Sequence, residues 1–263
     1  MKHAHGHQRR WWLASLVVVV VMMGWVMPAG ATTTNPYSSG TSGYDVAQPN
    51  CSETPPGGFA IVGLGGGRPF STNSCLKTEW TTALRGGGSP SPALYFNTGY
   101  SGAYGHDVTA TCNSYAGPSV STSPKHDQST YMSAWEIGCS EAAYARKTAA
   151  KALGMGPSVW WADIETGNSW STNKRVNQHA VDGISYEMKN LAKAAHETTA
   201  FGVYSYPSAW SQIVGTGFTA TPPFPGEWAP GLNCTSSGFT GAPVWLVQGG
   251  TTRNGVDTDT GCG

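Results

Sequence analysis

Val159-Trp160-Trp161-Ala162-Asp163-Ile164-Glu165-Thr166-Gly167 runs four apolar residues straight into two carboxylates. A short, continuously apolar run suits a strand buried on both faces, the usual state in a parallel sheet. The same pattern recurs in Phe59-Ala60-Ile61-Val62. Further apolar runs bounded by Gly and Pro predict strands over 44–47, 59–64, 93–97, 158–163, 199–205, 226–229 and 243–248. Between them lie helical patterns. Residues 128–153 are Ala-rich and end at Gly154, a suitable C-terminal cap. Residues 173–195 place Val176, Ala180, Ile184, Met188 and Leu191 on one stripe. A shorter helix is expected over 208–214, before Gly215. Helices alternating with buried strands make βα units, hence a parallel α/β sheet or barrel. The long segment 99–123 reads as a loop that Cys112 could brace.

The two carboxylates fall where such folds do chemistry. Residues i and i+2 of a strand face the same way, about 6.5 Å apart. Asp163 and Glu165 should therefore share one site at a strand's C-terminal end, where barrel and sheet active sites are built. Two carboxyl groups so close cannot both ionise freely, so one holds a proton near neutrality. A protonated carboxyl beside an ionised one is the equipment for cleaving a glycosidic bond. Trp160, Trp161 and Trp170 are expected to wall the pair. The competing reading is two solvated or helix-capping acids before Ser169-Trp170-Ser171. Other polar residues stand at or just past strand ends: Asp45, Asn97, Tyr204, Tyr206, Glu227 with Trp228, Gln248, and Asp257 with Asp259. In a closed barrel these would rim one mouth.

Composition fixes the setting. Lys2, Arg9 and Arg10 precede an apolar run, 11–27, which Pro28 and Ala29-Gly30-Ala31 terminate. That is the pattern of a cleaved export signal over 1–31; an uncleaved anchor is the alternative. Removing it leaves 232 residues with 12 basic and 15 acidic side chains, and no basic stripe to attract nucleic acid or an anionic membrane. Residues 32–43, rich in Thr, Ser, Gly and Asn, read as a flexible tether, and 44–263 as one domain. The expected product is a monomeric protein working outside the cytoplasm, with no membrane attachment after cleavage. The six cysteines, Cys51, Cys75, Cys112, Cys139, Cys234 and Cys262, fit a disulfide framework. Fifteen pairings are possible, and chain proximity favours Cys51–Cys75, Cys112–Cys139 and Cys234–Cys262. Without a Cys-x-x-Cys or a nearby His, zinc is disfavoured.

Four blocks together resemble glycoside hydrolase family 25, the lysozyme-type muramidases. They are Tyr44-Asp45-Val46-Ala47, Trp161-Ala162-Asp163-Ile164-Glu165, Gly202-Val203-Tyr204-Ser205 and Trp245-Leu246-Val247-Gln248 followed by Val256-Asp257. The sequence looks closest to a branch of exported actinobacterial proteins described only as glycoside-hydrolase-like. Pro49-Asn50-Cys51 and Gly66-Gly67-Arg68-Pro69-Phe70 are similar to that branch. The resemblance implies a single modified TIM-type β/α barrel with fewer helices than strands. It implies a peptidoglycan or related N-acetylated polysaccharide substrate, with Glu165 as general acid. Asp163 would orient the N-acetyl group or stabilise positive charge. Asp45 and Asp257 would line the floor, and Tyr204 and Gln248 would hold the sugar. The sequence departs from the family at Ala47, where Ser is usual, in lacking the following Gln-Gly, and in carrying both Asp257 and Asp259. A non-catalytic carbohydrate- or wall-binding barrel is therefore the rival expectation, and a partner-binding exported domain a third.

Other motifs fall away. Gly63-x-Gly65-Gly66-Gly67 follows a strand, but Arg68 takes the third fingerprint glycine's place and Pro69 blocks a helix, so a tight turn is expected and no nucleotide cofactor. There is no Gly-x-Ser-x-Gly and no His-Glu-x-x-His. Asp257-x-Asp259 lacks the other ligands of a calcium loop, and no metal is expected.

Overall fold

A computed structural model describes residues 34–46, 51, 57–120, 123–154, 156–194, 200–251 and 256–263. The expected signal over 1–31, Ala47 and Pro49-Asn50 lie outside them. Among the described residues, no helix is long and apolar enough to cross a membrane.

Eight strands close into a barrel: β1 (Ser42–Val46), β2 (Phe59–Gly63), β3 (Ala93–Asn97), β4 (Val159–Asp163), β5 (Ala200–Tyr204), β6 (Glu227–Pro230), β7 (Val244–Thr251) and β8 (Asp257–Gly261). Neighbours from β1 to β7 are parallel. Strand β8 runs antiparallel to both β7 and β1 and shuts the ring. The helices are α1 (Leu76–Arg85), α2 (Lys125–Leu153), α3 (Lys174–Ala194) and α4 (Pro207–Ile213), with a 3₁₀ turn at Gly102–Asp107. This is an α/β barrel with fewer helices than strands, as expected. No helix follows α4 among the described residues.

Strand alternation sorts side chains between two cores. Tyr44, Val62, Phe96, Trp160 and Val203 face outward, onto Trp80 of α1, Ala145 of α2, Ile184 of α3 and Trp210 of α4. Phe59, Ile61, Tyr95, Trp161, Trp228 and Trp245 face inward and fill the barrel. Trp161 is fully buried. Its ring stands 5.8 Å from Trp228 and 6.1 Å from Trp245, centroid to centroid. Glycine makes room for these rings. A Cβ on Gly202 would sit 2.3 Å from Trp161, and one on Gly226 2.1 Å from Trp245. Mid-strand glycine ordinarily weakens a strand. Here Gly202, within β5, and Gly226, just before β6, leave room for the Trp161 and Trp245 rings.

Residues 34–43 differ from the expected tether. Tyr37 is buried against Phe59, 4.8 Å between centroids, and its hydroxyl accepts a hydrogen bond from Trp161 Nε1 (3.2 Å). Gly40 N donates to Gly261 O (2.9 Å), and β1 begins at Ser42. The polar composition hid one aromatic plug. The cysteines pair Cys51–Cys75, Cys112–Cys139 and Cys234–Cys262. The second pair ties the long loop after β3 to α2. The Gly65–Gly67 segment forms a tight bend in which Gly66 N donates to Ser71 Oγ (2.8 Å).

Candidate active site

The C-terminal ends of the parallel strands open into a cavity of about 350 Å³. Four strands place their last inward side chain there: Asp45 from β1, Asn97 from β3, Asp163 from β4 and Tyr204 from β5. Trp228 and Gln248 come from β6 and β7. Glu165 lies two residues past β4. Asp257, the first residue of β8, reaches the same mouth because β8 runs the other way, pairing with Asp45. The structure thus brings together Asp163, Glu165 and six of the strand-end candidates, Asp45, Asn97, Tyr204, Trp228, Gln248 and Asp257, while Tyr206, Glu227 and Asp259 do not line the cavity. Gly67, Tyr95, Gly167 and Asn168 also line the cavity and were not anticipated. Tyr95 was findable as the inward residue two before Asn97; Asn168 sits in a turn without periodic signal.

Polar side chains at the floor hold one another in a chain. Tyr204 Oη donates to Gln248 Oε1 (2.8 Å), and Gln248 Nε2 donates to Asp45 Oδ2 (2.8 Å). On Asp45's other side lies Asp259, one inward step below Asp257 and 2 % exposed. Asp259 Oδ1 accepts from Trp228 Nε1 (2.7 Å). Its Oδ2 is buried with no partner among the described residues, and burial with the nearby Asp45 charge holds the carboxyl well above the carboxylate range. This separates two aspartates that sequence spacing left equivalent: Asp257 faces the cavity and Asp259 supports it from beneath. Replacing Asp259 by Asn should be well tolerated, because the amide can accept from Trp228 and donate to Asp45. Replacing it by Ala should cost about 1–3 kcal/mol, by stranding the buried Trp228 Nε1 donor. Thermal unfolding of the two variants checks this, and equal losses would contradict it.

Asp163 is deeply buried, 3 % exposed. Its Oδ2 accepts from Asn97 Nδ2 (2.5 Å), while Oδ1 is buried with no partner among the described residues. Thr98 donates to its backbone carbonyl from N (3.1 Å) and Oγ1 (2.6 Å), clamping β4 to the end of β3. Glu165 is held through its backbone, which accepts from Trp170 Nε1 (2.9 Å), leaving the carboxyl free to face the cavity.

Burial dominates the electrostatics. It pushes Asp45 up to about 7, with Asp257 and Glu165 adding repulsion and Gln248 opposing. Burial and then the Glu165 charge push Asp163 well above the carboxylate range, against the Asn97 hydrogen bond. Glu165 is raised by burial. The cavity therefore retains protons near neutrality, the condition for a general acid.

An acid raised in the folded state binds more protons than in the unfolded chain. Its stabilising contribution is complete below the unfolded value and is lost as pH rises through the folded one. For Asp45, and for Asp182 of α3, which burial also raises to about 7, that window runs from about pH 4 to 7. His179, lowered to about 4 by burial, works the other way between about pH 4 and 6.5. The acids outnumber it, so the melting temperature should rise on acidification from pH 8 to 5. A fall over that range, measured by calorimetry, would contradict the assignment.

The three indoles expected to wall the pair stand elsewhere, as do Glu227 and Tyr206. Trp160 packs outward against the helices, Trp161 lies below the floor, and Trp170 reaches only Glu165's backbone, so none walls the cavity. Strand alternation assigns the first two to opposite faces; the indole lining the cavity is Trp228. Glu227 points away from the barrel interior. It is fully buried and accepts from Phe239 N (2.7 Å), Thr240 N (2.6 Å) and Thr240 Oγ1 (2.6 Å), a structural staple. Tyr206 pairs with Thr166 Oγ1 (3.1 Å) on the rim.

Fold and site together define a β/α barrel whose mouth is ringed by carboxylates, one amide pair and aromatic rings. No protein-family model matches the chain, and no curated protein does. Solved structures do. A muramidase from Acremonium alcalophilum aligns with a TM-score of 0.47 at 15% identity, over 84% of this chain and 93% of that one. The modular Cpl-1 endolysin, in complex with a peptidoglycan analogue, gives 0.47 at 14% identity over 85% of this chain. The modular autolysin LytC from Streptococcus pneumoniae, with a synthetic peptidoglycan ligand, gives 0.48 at 12% over 83%. The chain spans 54% and 46% of the lengths of those two modular proteins.

Proposed function

We propose that the chain is an exported glycoside hydrolase acting on N-acetylated cell-wall polysaccharide, with peptidoglycan as the substrate. The observation that carries this reading is the adjacency of Asp163 and Glu165 in one cavity, the first deeply buried with an unpartnered oxygen, the second raised by burial yet facing the opening.

In this mechanism Glu165 gives its proton to the glycosidic oxygen as the C1–O bond breaks. The substrate's own acetamido oxygen forms a bond to C1 from the opposite face, so no second protein nucleophile is required. The coupled pair holds one proton; with it on Glu165, Asp163 is ionised and, oriented by Asn97, accepts a hydrogen bond from the acetamido N–H and stabilises the positive charge that develops there. Water then attacks C1, Glu165 takes its proton back, and the acetamido group is released with C1 configuration retained. Asp45 and Asp257 line the floor, and Tyr204, Gln248 and Trp228 hold the ring. Export is supported by the basic, apolar and small-residue order of 1–31 and by three disulfides.

Purified residues 32–263 should release reducing ends from peptidoglycan, with the β-anomer forming first by proton NMR. Binding to insoluble wall without turnover would instead favour a carbohydrate-binding barrel. Neither binding nor turnover would overturn both.

A further inference from the structure

Glu141 is a carboxylate in the middle of α2, 2 % exposed, and the mechanism above does not use it. Its Oε1 accepts from Gly99 N (3.1 Å), in the loop that leaves β3. Its Oε2 is buried and has no partner among the described residues. Arg68 borders the same small cavity but makes no ion pair with Glu141. Burial keeps Glu141 well above the carboxylate range, so it carries a proton and can donate as well as accept.

Beside Glu141 lies a second, small cavity of about 10 Å³, bordered by Gly65, Ser71, Phe96, Asn97 and Tyr144. A space of about that size, with polar partners, holds one water molecule. Asn97 borders both cavities. Its Nδ2 faces Asp163, while its Oδ1 points the other way, 3.3 Å from where a Cβ on Gly65 would stand. The same Cβ would lie 3.3 Å from Ser71 Oγ. One amide thus connects the reacting pair to the buried acid behind the barrel wall.

We infer that Glu141 is a positioning residue: through one internal water it fixes the Asn97 amide so that Nδ2 stays on Asp163. The water accepts from the Glu141 carboxyl and donates to Asn97 Oδ1. A carboxamide facing an acidic cavity could otherwise turn its oxygen toward Asp163, and the relay removes that option by demanding an acceptor on the rear side. Only the kinetic consequence rests on the proposed hydrolase reading; the relay itself does not.

The test is NMR on the full mature chain, following the Asn97 side-chain amide and the Asp163 carboxyl carbon. Wild type and Glu141→Gln, which can still donate to the water, should show an exchange-protected Asn97 amide and the same Asp163 titration. Glu141→Leu should speed Asn97 amide exchange at least tenfold and move the Asp163 midpoint upward. Gly65→Ala supplies the second arm, because it fills the small cavity without touching Glu141, at a position that needs no left-handed backbone; it should reproduce both changes. If Gly65→Ala and Glu141→Leu both leave the Asn97 amide and the Asp163 titration at wild-type values, the relay is wrong, whatever the turnover. If they shift and the wild type hydrolyses no glycan, the relay stands and the hydrolase reading falls. With turnover present, kcat should fall about tenfold in both variants, with KM little changed.

Discussion

Glu165→Gln should lower kcat on peptidoglycan by about 10²- to 10⁴-fold, the usual contribution of a positioned general acid. The glutamine preserves shape and can still lie in the cavity, so the melting temperature should stay at or slightly above that of wild type. Removing a carboxyl that burial raises takes away an unfavourable charge rather than a supporting contact. The residual activity should also lose its alkaline limb, because the group whose deprotonation ends turnover at high pH is gone. Rate measurement across pH on both proteins is decisive: equal activity would remove Glu165 from the mechanism. Asp163→Asn gives a useful contrast. The amide cannot accept the acetamido proton at an ionised oxygen, so it should lower kcat without erasing the alkaline limb.

The largest effect on stability is expected at Trp161→Ala, about 3–5 kcal/mol. The indole is fully buried at the centre of the barrel, in edge contact with Trp228 and Trp245, and its Nε1 is the donor to Tyr37 Oη. Its loss leaves a cavity that Gly202, having no side chain, cannot fill, and leaves the Tyr37 hydroxyl without its donor. Denaturant unfolding should show the full loss with little change in slope. A cost below about 1 kcal/mol would mean that the interior repacks freely. Trp228, which touches Trp161 and lines the site, should then shift, so activity should fall even where the variant remains folded.

What could be read in advance followed from periodicity. Continuous apolar strands and the Ile184 stripe of α3 showed themselves because burial on a regular element leaves a regular trace. The Asp163/Glu165 pair was legible for the same reason, since strand geometry alone puts i and i+2 together. Two elements escaped. Helix α1 buries Leu76, Glu79, Trp80 and Ala83 at helical spacing. A glutamate occupies one position of that stripe, held by Asn73 Nδ2 (2.5 Å), and breaks the apolar pattern. Strand β8, Asp257-Thr258-Asp259-Thr260-Gly261, contains no apolar side chain. Its acids are held from other strands, Asp259 accepting from Trp228 Nε1 and Asp257 from Thr251 Oγ1, so tertiary hydrogen bonds do what apolar burial does elsewhere. Tyr37 was missed because one aromatic residue in a polar stretch has no period at all.

Strand β8 also decides when the protein can become a protein. Residues 42–46 take their second neighbour from 257–261, the far end of the described chain. Until that last hairpin arrives, β1 and β7 are open margins whose unpaired amides and carbonyls invite pairing with any other chain. A product cut short before 257 is therefore not a smaller barrel but a sticky sheet. The same late closure keeps a nascent chain from locking into a barrel before residues 257–261 are made.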